Sequence, residues 1–293
     1  MRRAVRIACG GLLIFIVLEL LFRLTNPLGI DYYARAYQYL ESCRDTDRGY
    51  YVNGGKEANA DGLRWYDTNP TQKKRILLLG DSIVYGLGVE FTDTFAYKLQ
   101  MMLPKHDWIN AGVGGWNTEN ESQWLLWEGL YLEPDLVILF ITANDVENVY
   151  AGKKTKYPLY QKVIYHSRLL STVFYIKRNL FRVLWGRTTL KTNVTSDAYA
   201  IAEDALINIM AVSPRLMVCL YGDKQTLQTP AMQFYINLLK ANHVPMFALP
   251  DDLYNRKHYI SRIDHHPNRW GHTYIAEAVL LALSKFEAAG WVW

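Results

Sequence analysis

Cysteine is nearly absent from this chain: Cys9, Cys43 and Cys219 are the whole set. Three thiols without a C-x-x-C spacing exclude a disulfide scaffold and a cysteine zinc site. Cys9 falls in an N-terminal apolar run, so one pair, Cys43 with Cys219, is allowed but not implied. Excess charge is lacking too. A net charge of +4 is too small to argue for a nucleic-acid partner. Repeats and low-complexity tracts are missing, and half of the residues are hydrophobic, which excludes global disorder. A length of 293 residues suits one large α/β domain or two small ones. Aromatics are plentiful at 14%. Core packing accounts for most of them, with sugar or membrane-interface stacking as the sharper reading.

One absence is local. Between Tyr150 and Asn193 stand ten Lys or Arg and no Asp or Glu. Within that stretch, His166 to Arg187 reads HSRLLSTVFYIKRNLFRVLWGR, with apolar residues at helical spacing and basic ones between. Such a helix fits an anionic membrane surface or an acidic glycan. A solvated helix packing its stripe on the domain is the alternative.

A signal-peptide cleavage site is missing as well. Ile7 to Leu24, IACGGLLIFIVLELLFRL, is followed by Leu24-Thr25-Asn26-Pro27, without the A-x-A pattern. The run is close to the shortest that spans a bilayer. Glu19 interrupts it, and Arg23 sits where it can snorkel to the interface. A cleaved signal peptide and a soluble amphipathic helix are the alternatives to an uncleaved anchor. Arg2, Arg3 and Arg6 precede the run, which by the positive-inside rule leaves the N-terminus in the cytoplasm and the remainder outside. The expected organisation is an anchor over residues 1–24, a linker or wrapping segment over 25–72, and a catalytic domain over 73–293. The basic insertion lies at about 150–193.

From Arg75 onwards the pattern alternates. Short apolar runs at Ile76–Leu79, Trp108–Val113, Leu136–Ile141, Leu216–Leu220 and Val244–Leu249 read as strands. Helical patterns lie between them: Asp93–Met102, Thr118–Leu132 opened by a Thr118/Glu121 capping box, and Asp197–Ala211 capped by Ser196. Another helix starts at Thr229-Pro230, and a last one runs from Asn268 to Ala289. Strands apolar on both faces, alternating with helices, predict a five-stranded, mainly parallel sheet in a three-layer α/β/α sandwich, preceded by one transmembrane helix.

Ligands of such sheets gather beyond the carboxyl ends of the strands. There stand Gly80-Asp81-Ser82, Asn110-Ala111-Gly112-Val113-Gly114-Gly115 and Ala143-Asn144-Asp145, and after the last strand Asp264-His265-His266-Pro267-Asn268. Each is ordinary alone; together they make an acyl-transfer kit. Ser82 needs a base to become a nucleophile. His266 can be that base, with Asp264 orienting its imidazole and His265 as the competitor. Backbone N–H groups of Ser82 and Gly115 and the Asn144 amide can hold an oxyanion. His106, His166, His243, His258 and His272 are read as structural or exposed, and Asp81 as a brace for the Ser82 turn.

These four blocks resemble the SGNH (GDSL-type) hydrolase superfamily over about residues 73–289, in the N-terminally membrane-anchored bacterial subgroup. The resemblance implies a flavodoxin-like sandwich and metal-free, cofactor-free ester chemistry at Ser82, Gly115, Asn144 and His266, with Asp264 as triad acid. Two positions depart from the usual pattern. Thr142 replaces the glycine of Gly-x-Asn-Asp, and Asp264-x-His266 shortens the common Asp-x-x-His. The shorter spacing also occurs in membrane-linked polysaccharide O-acetyltransferases. The implied activity is an extracytoplasmic serine esterase acting on an acylated glycan or lipid. An O-acyltransferase or a non-catalytic assembly subunit is the alternative.

Overall fold

The computed structural model describes residues 2–26, 39, 41–66, 71–147, 159–184, 194–261 and 264–291. The chain divides into two compact units. One comprises Met1–Gln38, Lys156–Lys191 and Ser261–His265, and the other Tyr39–Thr155, Thr192–Ile260 and His266–Trp293.

The larger unit is a three-layer sandwich. Strands β3 (Arg75–Gly80), β4 (Asp107–Gly112), β5 (Leu136–Ile141), β6 (Leu216–Leu220) and β7 (Met246–Ala248) form one parallel sheet in the order β4-β3-β5-β6-β7. The sheet is five-stranded and parallel, as the apolar runs require. Every residue of β3, β5 and β6 is buried. The alternation of side chains divides them between two cores. Leu77, Leu79, Val137, Leu139 and Val218 face one, with Trp124, Leu206, Ile209 and Tyr235. Ile76, Leu78, Ile138, Phe140 and Cys219 face the other, with Phe95, Leu99, Ile275 and Val279. The helices α4 (Thr118–Trp127), α7 (Ser196–Val212) and α9 (Pro230–Ala241) supply the first face. The helices α2 (Ser82–Tyr85), α3 (Phe95–Met102) and α10 (Arg269–Ala288) supply the second. A one-turn helix, α8 (Lys224–Leu227), follows β6.

Several expected boundaries move. Asn117, not Thr118, caps α4, accepting from Asn120 N–H, because the Thr118 hydroxyl is bonded to Tyr235 Oη at 2.7 Å. Its supposed box partner Glu121 is wholly buried. α4 ends at Trp127, and a 3-10 turn covers Gly129–Leu132. Thr195, not Ser196, caps α7. The edge strand β7 spans only Met246–Ala248, since an edge position lacks a second partner strand. Thr229 caps α9 with Pro230 in its first turn, as the sequence predicts. Cys43 and Cys219 lie in the two different cores and form no disulfide, so the allowed pair is not made.

Ahead of the sheet, a two-stranded antiparallel ribbon joins β1 (Arg44–Asp45) to β2 (Tyr51–Val52). Tyr39, Tyr50, Tyr51 and Leu63 are buried in the first core, so this tyrosine-rich stretch is packed rather than loose.

The smaller unit holds α1 (Arg2–Thr25), α5 (Leu159–His166) and α6 (Arg168–Leu184). The basic helix expected over 166–187 starts at Arg168 as α6, set off from α5 by Ser167, and its end beyond Leu184 lies outside the described residues. Within α1, Val5–Thr25 is the one helix among the described residues long and apolar enough to cross a membrane, with a mean hydropathy of 2.3.

Candidate active site

The sheet order places its switch point where β3 and β5 adjoin, and both strands end in a motif. After β3, Asp81 caps the short α2, its Oδ1 accepting from Ile83 N–H at 2.8 Å. The cap aims Ser82 Oγ outward. Glycine is required opposite this turn: a Cβ on Gly112 would lie 2.0 Å from Tyr85 N. Ser82 Oγ is 2.8 Å from His266 Nε2, across 184 residues of chain. His266 immediately precedes Pro267, which forms an isolated bridge with Tyr259, and its carbonyl accepts from Ile260 N–H. Asn268 then caps α10, its Oδ1 accepting from Trp270 and Gly271 N–H. The strand ends, the cap and the bridge together fix the serine–histidine pair.

The Asn144 amide is hydrogen-bonded to the Asp81 carboxylate, which also lies 3.4 Å from Ser82 Oγ. Burial raises Asp81 above the usual carboxylate range; the Ile83 N–H, the His266 charge and Asn144 partly offset it. Ser82, Asn144 and His266 are thus brought together around Asp81. Gly115, half-buried, has φ +89°, in the left-handed region that favours glycine. Its neighbour Gly114 donates its N–H to Tyr39 Oη at 2.7 Å. Tyr39 Oη in turn donates to Asn53, whose Nδ2 donates to the Gly112 carbonyl. Asp264 is buried two residues before His266, and its N–H donates to Ser261 Oγ at 3.2 Å. His265 is exposed.

Thr142, which takes the place of a glycine, has a visible task. Its Oγ1 is 2.9 Å from Asn144 Oδ1 and 2.7 Å from Asp145 Oδ1. One hydroxyl carries one proton and cannot donate to both. Asp145 is 1% exposed, and burial followed by the Asp81 charge pushes its pKa well above the usual range. That direction favours the protonated acid, which would supply the second proton. Thr142 then donates to Asn144 Oδ1, and the amide nitrogen is left facing Asp81 and the site.

A third buried acid carries no signal in the sequence. Glu121 is fully buried, and both of its carboxylate oxygens are without a hydrogen-bond partner among the described residues. Burial, then the Asp145 and Asp81 charges, raises it strongly. It was readable only as a helix-start residue, because its neighbours in space come from other strands. His272 is also buried, its Nδ1 accepting from Phe95 N–H, and burial pulls its pKa down to about 3. It is a neutral core histidine, in line with its structural assignment. Among the described residues no cluster of His, Cys, Asp and Glu could hold a metal.

The model of the GDSL-like lipase/acylhydrolase family matches residues 78–274, which include Ser82, Gly115, Asn144, Asp264 and His266. The chain belongs to the GDSL-like lipase/acylhydrolase family. Among solved structures it is similar to a two-domain esterase active on acetylated mannans, at 17% identity and a TM-score of 0.48. That likeness covers 74% of this chain and 50% of the esterase, so the chain spans about half of that protein's length. It is similar to Axe2, an acetylxylan esterase from Geobacillus stearothermophilus, at 14% identity over 71% and 93% of the chains, with a TM-score of 0.45. It also resembles LAE5, an α/β hydrolase enzyme from the metagenome of Lake Arreo, at 17% identity over 73% and 96%, with a TM-score of 0.44. No curated protein matches the chain.

Proposed function

We propose that the chain is a membrane-anchored, extracytoplasmic serine esterase that removes a short acyl group from a glycan or lipid. The observation that carries this reading is the 2.8 Å contact of Ser82 Oγ with His266 Nε2 at the switch point of the sheet. His266 takes the hydroxyl proton as Oγ attacks the acyl carbonyl. Asp264 orients the imidazole and stabilises its charged form. The oxyanion is held by Ser82 N–H, Gly115 N–H and the Asn144 amide. Collapse expels the alcohol, protonated by His266, and leaves an acyl-Ser82 ester that water cleaves. No step calls for a metal or cofactor.

The apolar helix α1 supports the anchor. Its 21-residue span, Val5–Thr25, is about 32 Å long at 1.5 Å per residue, against a hydrocarbon core of about 30 Å. Arg2, Arg3 and Arg6 put its start in the cytoplasm. Domain limits at 24 and 72 and a basic insertion at about 150–193 belong to the same proposal. An exposed Trp270, four residues beyond His266, offers a face for a sugar ring and favours a glycan. The short Asp264-x-His266 spacing favours one second reading, transfer of the acyl group to a polysaccharide hydroxyl instead of water.

The test is turnover of a short-chain aryl ester by the full chain in detergent, with and without a glycan acceptor, beside Ser82→Ala. Free acid supports hydrolysis, and acceptor-dependent acylated product supports transfer. Equal inertness of both proteins, with no labelling of Ser82 by a fluorophosphonate, refutes the enzymatic reading. The anchored chain should stay with membranes through a high-salt wash.

A further inference from the structure

The single acidic residue of the apolar helix is not left bare. Glu19 Oε2 accepts from Ser167 Oγ at 2.7 Å and from Leu169 N–H at 3.0 Å, and Oε1 accepts from Arg168 N–H at 2.9 Å. These are the orphan donors at the start of α6, so a side chain about 150 residues away in sequence acts as its cap. Arg23, paired with Glu19 at 2.7 Å, donates to the His166 carbonyl at the end of α5. A carboxylate thus meets the positive end of α6 and a guanidinium the negative end of α5. One ion pair on α1 clamps the α5–α6 junction.

Helix α6 turns two polar residues inward and two apolar ones outward. A helix packed on a soluble core turns its apolar stripe inward. Here Ser171 and Thr172 are buried, bonded to the Ile164 and Arg168 carbonyls. Val173 and Ile176 are outside, 53% and 48% exposed. Tyr160 and Val163 on α5 are exposed likewise. Polar groups between helices with apolar groups outward is the arrangement of helices surrounded by lipid. Lys177 stands exposed beside Ile176, and the 150–193 stretch carries no acid to neutralise its ten bases.

The clamp also fixes a depth. Glu19 lies six residues before the end of the span at Thr25, or about 9 Å. Interfacial helices bury their apolar faces about 5–10 Å into the boundary of headgroups and acyl chains.

We propose that α5 and α6 form a second membrane contact, lying in the interface of the bilayer that α1 crosses and binding anionic lipid headgroups, with the Glu19–Arg23 pair setting their depth. The inference rests on the reading of α1 as an anchor. Its apolar face enters the lipid, and its lysines and arginines reach the phosphates.

The experiment uses the full chain in phosphatidylcholine vesicles with and without phosphatidylglycerol. An environment-sensitive dye is placed on Ile176→Cys in a Cys9→Ala background, where the two remaining thiols are buried. Quenching by brominated lipid is expected in the anionic vesicles, with loss of quenching in Glu19→Gln. A dye on Tyr131→Cys, a position 82% exposed in the other unit, gives the aqueous reference value. If Glu19→Gln does not fold, as read by its thermal melt, Val173→Asp should produce the same loss. A dye as unquenched at Ile176 as the reference, on protein that still sediments after a high-salt wash, overturns this inference and leaves the anchor standing. Release from the vesicles by that wash overturns both. Quenching that ignores phosphatidylglycerol overturns the headgroup assignment.

Discussion

Removing one hydroxyl, in Thr142→Val, should slow the enzyme without weakening its hold on substrate. Valine keeps the shape of threonine and deletes only Oγ1, which is within hydrogen-bonding distance of Asn144 and Asp145. Without it, Asn144 Oδ1 loses the Thr142 donor, and the bond of its amide nitrogen to the Asp81 carboxylate is left to orient the amide alone. A lost oxyanion donor costs about 3 kcal/mol of barrier, roughly 100-fold in kcat. A partly misoriented one should cost about 10- to 100-fold. KM should stay within about twofold, because the interaction is made only with the developing oxyanion. The variant also leaves Asp145 short of a partner, a destabilisation of about 1–3 kcal/mol. Steady-state kinetics on an aryl ester, well below the variant's melting temperature, separate the two effects. Thr142→Ser, which restores the hydroxyl, should recover most of kcat. A kcat within twofold of wild type in Thr142→Val, with a lowered melting temperature, would show the hydroxyl to be structural only and refute the reasoning.

Asp264→Asn should lower kcat by about 10,000-fold, and His265→Ala by less than about threefold; comparable losses in both would contradict the choice of His266 as base. Gly112→Ala should be the most damaging small substitution in the sheet, costing about 4 kcal/mol or more because its Cβ would meet Tyr85 N at 2.0 Å. Denaturant melts would show it, and a normal midpoint would count against the close approach. His272 should contribute a loss of stability as pH drops from about 6.5 towards about 3, since the unfolded chain protonates it there and the buried, neutral ring does not. The contribution is up to about 1.4 kcal/mol per pH unit, and melts of His272→Gln should show a slope shallower by about one proton.

The sheet was legible because burial on both faces leaves a simple trace, an unbroken apolar run such as Ile76–Leu79 or Leu136–Ile141. The serine, glycine, asparagine and histidine motifs were legible because a parallel sheet puts strand ends on one edge. What stayed hidden depends on partners remote in sequence. Thr118 looked like a cap until Tyr235 took its hydroxyl. Glu121 looked like a helix-start carboxylate, and only the fold brings Asp145 and Asp81 near it. Glu19 looked like a flaw in an apolar run, and its use at the start of α6 lies 148 to 150 residues away. Local pattern reports burial and misses pairing.

The hydroxyl of Tyr39 ties the ends of two stories together. It receives the Gly114 N–H, and a Cβ on Gly114 would lie 2.9 Å from its ring. The residue next to the half-buried Gly115 is therefore held by the chain just ahead of the first ribbon. A protease that cuts before residue 39 should leave a working enzyme. One that cuts after it should part the tyrosine from Gly114 and leave a silent one. The same stretch of polypeptide would then serve as both leash and fuse, and the position of the cut would decide which.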